Sequence, residues 1–431
     1  MTIITHTTLV DGTGAPPRSK IDIAFDEGGI REIAPSGRLT SPAPPGPAAP
    51  APEGSAVGPN KNGGPGKYGG ADTRADTVID GTGKAVLPGL IDCHIHMDLH
   101  GYANTYEENL VEDKLRSIRA AFEMERTLCR GFTTVRNAGS VNHIDFAVKK
   151  AIEEGYCRGP RILTSGRIIS MTAEGNDYFL GLYREADGPD EVRAAAREQI
   201  KGGADFLKLM ATGAYMNPGG IPGAAQLEIE EMRAAVEEAE KLGLHVAAHA
   251  HGADGIKNAV RAGVRTIEHG TLIDEEGIEL MREHGVYLIP TFVVPFQMSR
   301  HSEKNIADHM LDDERRDLDE RLENLHRAID GGVRICYGTD AGTPFNYHGD
   351  NARQLELFVE LGFLSPVEAI HSATGAAAEA IGLDHCIGTV EPGKEADLIM
   401  IDSALLENLE GLTEGVEEVF HGGLRMPVDC I

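Results

Sequence analysis

Tryptophan is absent from the 431 residues, and aromatic residues make up only 5% of them. Cysteine is sparse as well: Cys93, Cys129, Cys157, Cys336, Cys386 and Cys430 are scattered, and no two form a C-x-x-C pair. That spacing argues against a cysteine-type zinc site and a disulfide frame, so reduced thiols are expected. Basic residues are outnumbered, 40 Lys and Arg against 68 Asp and Glu, for a net charge of −28. Nucleic acid needs a basic surface for its phosphates and is not expected as a partner. The acidity does not call for a basic partner either, since it also serves solubility. No apolar run approaches the roughly 20 residues of a membrane span, so no membrane association is expected. The opening "MTIITHTTLVDGTG" lacks the basic start and long apolar stretch of a signal peptide, and a cytoplasmic location is expected.

What the chain does have is a change of texture. Short strand-like runs punctuated by Gly and Asp open it. They are followed by "SPAPPGPAAPAPEGSAVGPNKNGGPGKYGGAD", nearly all Pro, Gly and Ala. Such a segment buries too little apolar surface to offset its ordering entropy, and residues 41–76 are expected to form a disordered surface insert. After Asp80, strand-like runs alternate with helix-like ones. The strand candidates are "AVLPGLID", "FTTVRNAG", "RILTSG", "FLKLMATG", "LHVAAHAHG", "VRTIEHG", "VYLIPTF" and "VRICYGTDAG". Between them, stretches such as "EIEEMRAAVEEAEKLG" and "ERRDLDERLENLHRAIDGG" carry apolar residues at helical spacing with Gly at the stop. The alternation predicts an α/β fold: a (β/α)8 TIM-like barrel over residues 85–385, although an open doubly wound sheet also alternates. Residues 1–84 and 386–431 return to short strands and turns, and are expected to form a small β-sandwich domain from both chain ends.

His94 and His96 stand one residue apart after the apolar run "VLPGLID". Alternate residues of a strand point to one side, so both imidazoles can converge on one point. Alone, such a pair is also compatible with a satisfied structural role. Lys208 lies inside "FLKLMATG", where a free ammonium is costly to bury. It can snorkel or pair with an acid; alternatively its neutral amine can add CO2 to give a carbamate, an anion able to bridge two metal ions. His249 and His269 end two further strands, and Asp340 ends another. Imidazoles are common zinc ligands, and a carboxylate can both touch a metal and take a proton from its water. Each residue singly has a bland explanation. Core packing does not explain five strand ends that deliver four imidazoles, a lysine and a carboxylate to one rim.

The motifs "PGLIDCHIH", "FLKLMATGA", "AAHAHG", "IEHGT" and "GTDAG", in that order, resemble the amidohydrolase superfamily. Within it, they are most similar to the metal-dependent prolidase-like and N-acyl-amino-acid-hydrolysing subgroup, which includes ochratoxin-type amidases. The resemblance runs from about Ala85 to Asp402. It implies two divalent metal ions, usually zinc. His94, His96 and Asp340 would hold one ion, His249 and His269 the other, with carboxylated Lys208 and a hydroxide between them. Asp340 would move the proton to the leaving amine, and His251 is a candidate contact to the tetrahedral intermediate. Tyr215 and His348 are candidate substrate-binding residues, and Arg300 is a candidate partner for a carboxylate.

The expected substrate is a small amide or peptide, a dipeptide of X-Pro type or an N-acyl amino acid. A cyclic amide, as in imidazolonepropionase-like relatives, or a heterocycle to be deaminated is the alternative, and a non-catalytic scaffold is the third reading. A homo-oligomer is implied by the resemblance. Two positions depart from the subgroup: "SMTAEGNDYF" carries no histidine, and Asn137 stands where an aspartate is common.

Overall fold

The computed structural model describes residues 1–39, 77–217, 221–300 and 308–428, the side chains of 299 and 308–317 excepted. The expected disordered insert at 41–76 lies outside the described residues.

Seven parallel strands form one sheet. In spatial order they are Tyr183–Glu185, Ile168–Ser170, Phe206–Met210, His245–Gly252, Thr266–Leu272, Tyr287–Ile289 and Arg334–Ile335. Leu90–Ile95, Phe132–Asn137 and Arg161–Thr164 form a second, three-stranded parallel sheet. Backbone hydrogen bonds stitch the two together at both edges. Asp205 N donates to Thr164 O (2.8 Å) on one side; on the other, Cys93 N donates to Tyr337 O (3.1 Å) and Asp340 N to His94 O (2.7 Å). The fold is therefore α/β with parallel strands, as the alternation predicts.

Helices cover these strands with one apolar face each. Ile229–Glu240, for example, buries Met232, Ala235, Val236 and Ala239, the i, i+3, i+4, i+7 pattern of an amphipathic helix. Its start is fixed by a capping box in which the Glu228 and Glu231 side chains satisfy each other's backbone N–H.

Both chain ends enter a mixed eight-stranded sheet. Leu398–Asp402 pairs antiparallel with Lys84–Pro88, which pairs in parallel with Thr2–Leu9. The run "AVLPGLID", expected as one strand, is thus two: Lys84–Pro88 belongs to the mixed sheet, and Leu90–Ile95 opens the parallel one. The change of sheet falls at Gly89, where a Cβ would collide with the Thr133 side chain. Cys93, Cys157, Cys336 and Cys386 are free thiols, but Cys129 is disulfide-bonded, which corrects the expectation of thiols throughout. A bridge between scattered cysteines leaves no local spacing to read. Among the described residues, no helix is long and apolar enough to cross a membrane.

Candidate metal centre

Parallel pairing in register puts the chemistry at one end of the strands. Met210 lies opposite His249, and Ala250 opposite His269. A cavity opens there, lined by His94, His96, Lys208, His249, His251, His269 and Asp340, with Tyr183, Tyr215, Thr291 and Arg321 beside them. Leu99, Ile168, Leu182, Met210, Met216 and Val294 give it an apolar wall.

Two donor groups converge in this cavity. His94, His96 and Asp340 form one, and His249, His251 and His269 the other; within each, one ligand atom per residue lies within 4.8 Å of the others. Nε2 of His94 and Nε2 of His96 are each 3.4 Å from Asp340 Oδ1. The His94 and His269 rings, one from each group, are 5.1 Å apart, so the groups adjoin. His269 and Asp340 both adopt left-handed backbone (φ 75° and 63°), which costs a non-glycine residue roughly 1–3 kcal/mol. Such strain persists where the surroundings dictate it, and here it aims two donors inward.

Electrostatics prepares the imidazoles as neutral ligands. Burial, aided by the nearby Lys208, brings His96 down to about 4 and His249 to about 3. Burial is also the main reason why His94, His251 and His269 lie well below the ordinary histidine range. Burial lowers Lys208 to about 8, against the opposing pull of Glu268 and Asp340. A neutral amine, the form that can react with CO2, is therefore accessible near neutral pH. The donor set of soft-neutral nitrogens plus one carboxylate fits a divalent cation in each group.

A buried polar network, not foreseen from the sequence, holds these donors. Glu268 Oε2 accepts from His94 Nδ1 (2.6 Å), and Arg136 Nη2 donates to Glu268 Oε1 (2.6 Å). Burial would raise the Glu268 carboxyl, but the Arg136 guanidinium and His94 hold it far below the usual carboxylate range. His96 Nδ1 faces Gly139 O (3.0 Å), and His269 Nδ1 faces Thr291 Oγ1 (2.6 Å). Asp92 Oδ2 accepts from Thr339 Oγ1 (2.6 Å) and Asn351 Nδ2 (2.7 Å), which pins the loop carrying Asp340. Asn137 accepts from Met97 N (2.8 Å) and so fastens the turn after His96. The available signal was a charged residue inside an apolar run: Arg136 in "FTTVRNAG", Glu268 in "VRTIEHG" and Asp92 in "AVLPGLID".

Tyr215 lies against the cavity with its ring 4.6 Å from that of His251. His348 does not line it. Its Nε2 faces the carbonyls of His96 and Leu99 (both 3.1 Å), so it braces the loop behind the site. Arg300 is exposed at the end of the helix Val293–Arg300 and is likewise absent from the cavity wall.

The Amidohydrolase family pattern matches residues 85–424. The chain belongs to the amidohydrolase family. It is 33% identical over 366 residues to the ochratoxinase of Aspergillus niger, covering 78% of this chain and 75% of that one. Among solved structures, it is similar to a Xaa-Pro dipeptidase with methionine bound in its active site (TM-score 0.84, 30% identity, 99% of both chains). It is also similar to a prolidase complexed with N-methylphosphonate-L-proline (TM-score 0.83, 29% identity, 99% of both chains). Like its amidohydrolase relatives, the protein is a hydrolase of amide C–N bonds, and its His and Asp groups could hold the metal that this family uses.

Proposed function

We propose that the protein cleaves the amide bond of an N-acyl amino acid or an X-Pro-like dipeptide with the help of two divalent cations, zinc by expectation. His94, His96 and Asp340 would hold one ion, His249 and His269 the other, and Lys208, as its CO2-derived carbamate, would stand between them. When bound, such ions acidify a water and polarise the scissile carbonyl. Asp340 accepts the proton of the attacking water at its carboxylate and returns it to the leaving amine, so that water is added across the C–N bond. His251 faces the developing oxyanion, Tyr215 meets the substrate's carboxylate end, and the apolar wall receives its side chain or acyl group. The observation that carries this reading is the convergence of both donor groups and Lys208 on one apolar-walled cavity. The bound methionine and the proline phosphonate named for the two similar structures favour an amino-acid product.

In the same reading, the two stitched parallel sheets are one closed (β/α)8 barrel over 85–385, the chain ends make a separate β-domain, and the enzyme is a cytoplasmic homo-oligomer. The test is a mixed panel of X-Pro and other dipeptides, N-acyl amino acids and cyclic amides, followed by mass spectrometry with the Asp340→Asn variant as control. Free amino acid released only by the active protein is the expected result. Ring opening or ammonia loss in its place would move the substrate to the cyclic-amide or deaminase class.

A further inference from the structure

The two donor groups are not chemically alike. In the first, His94 Nδ1 meets a carboxylate and His96 Nδ1 a backbone carbonyl, and both partners can only accept. Each ring therefore carries its proton on Nδ1, and Nε2 keeps a lone pair for a cation. His251 differs. Its Nδ1 is 2.7 Å from Thr271 Oγ1, a hydroxyl that can donate or accept.

Arg321 removes that ambiguity. Its Nε and Nη2 both donate to the same Thr271 Oγ1, at 3.2 and 2.9 Å. A hydroxyl oxygen has two lone pairs and one proton. A guanidinium can only donate, so of these two partners of the Thr271 hydroxyl only His251 Nδ1 can accept its proton. A protonated Nδ1 would instead be a third donor crowding one oxygen. Arg321 is only 5% exposed and lies over the Tyr215 ring, 5.6 Å from its centroid. One turn along the same helix, Asp308–Asp330, Asn324 Nδ2 donates to Thr271 O (3.0 Å), so the helix grips Thr271 at two points.

We propose that Arg321, acting through Thr271, holds His251 in its Nε2–H tautomer, making it a hydrogen-bond donor to the substrate's carbonyl oxygen rather than a third imidazole ligand. Arg321 and Thr271 are then positioning residues. The donor role rests on the hydrolytic reading above, whereas the tautomer can be read without any turnover.

The experiment is two-bond 1H–15N correlation NMR on 15N-histidine-labelled full-length protein, metal-free and zinc-loaded, with His251 assigned from the peaks lost in His251→Gln. The expected result is a bare Nδ1 and a protonated Nε2 in both states. Thr271→Val and Arg321→Met should mix the tautomers and lower kcat by about 10²-fold, the scale for one lost oxyanion donor, with KM and zinc content little changed. Thr271→Ser, which keeps the hydroxyl, should restore the wild-type spectrum and rate. A protonated Nδ1 in the wild type, or loss of the Nε2 proton on zinc loading, overturns the proposal. If no amide is turned over but the spectra are as expected, the hydrolytic reading fails and the tautomer assignment stands.

Discussion

Lys208 is 2% exposed, and burial has already brought its amine down to about 8. If its carbamate joins the two metal ions, Lys208→Ala should lose metal and turnover together, and a short carboxylic acid should restore part of both. Metal analysis alongside turnover checks this; a variant with full metal and full rate would remove Lys208 from the mechanism. Glu268 acts one step further out, on His94 Nδ1. Glu268→Gln should weaken metal binding by roughly 10–100-fold, the usual cost of losing such a partner, as measured by competition with a chelator. His94, His96, Lys208, His249, His269 and Asp340 stood out as candidates because each is a polar residue inside or at the end of an apolar run. Glu268 and Arg136 sit in similar runs, but their meaning lies in a contact between strands 132 residues apart, which no local pattern encodes.

At the scale of elements, the segment after the first parallel strand carries its own titration. Glu108 lies in the short helical turn Thr105–Leu110, and its Oε1 accepts from His100 N (2.8 Å). Burial pushes its carboxyl up to about 7, with Arg116 and Arg119 opposing and Asp98 adding to the rise. A folded-state pKa above the unfolded one contributes stability that is complete below about pH 4 and is lost as the pH rises through about 7. Glu108→Gln should therefore flatten the dependence of Tm on pH between about 4 and 8, with its largest gain over wild type at the alkaline end. Thermal melts across that range decide it; parallel curves for the two proteins would show that Glu108 does not titrate as its burial implies.

The strand and helix pattern was readable from periodicity, but the division of "AVLPGLID" between two sheets was not. Both halves are apolar and extended, and only the partners of Lys84–Pro88 and Leu90–Ile95 tell them apart.

For the molecule as a whole, five buried histidines and a lysine around one cavity would make a metal ion bound there a folding ligand as well. Chelation should lower Tm, and zinc should restore it in a concentration-dependent way, each bound ion adding about 2.7 kcal/mol of stability at 100-fold excess over its Kd. Calorimetry at several zinc concentrations checks this, and a Tm independent of zinc would count against a bound ion.

The sequence by itself determined the α/β class, the family and the candidate donors, because periodicity and residue type are local properties of the chain. Only the tertiary structure decided that His251 stands with His249 and His269, that His348 does not line the cavity, and that Glu268, Arg136, Thr271 and Arg321 stand behind the imidazoles. Those outcomes depend on register and on hydrogen bonds between distant strands and helices, and such contacts are made only when the chain folds.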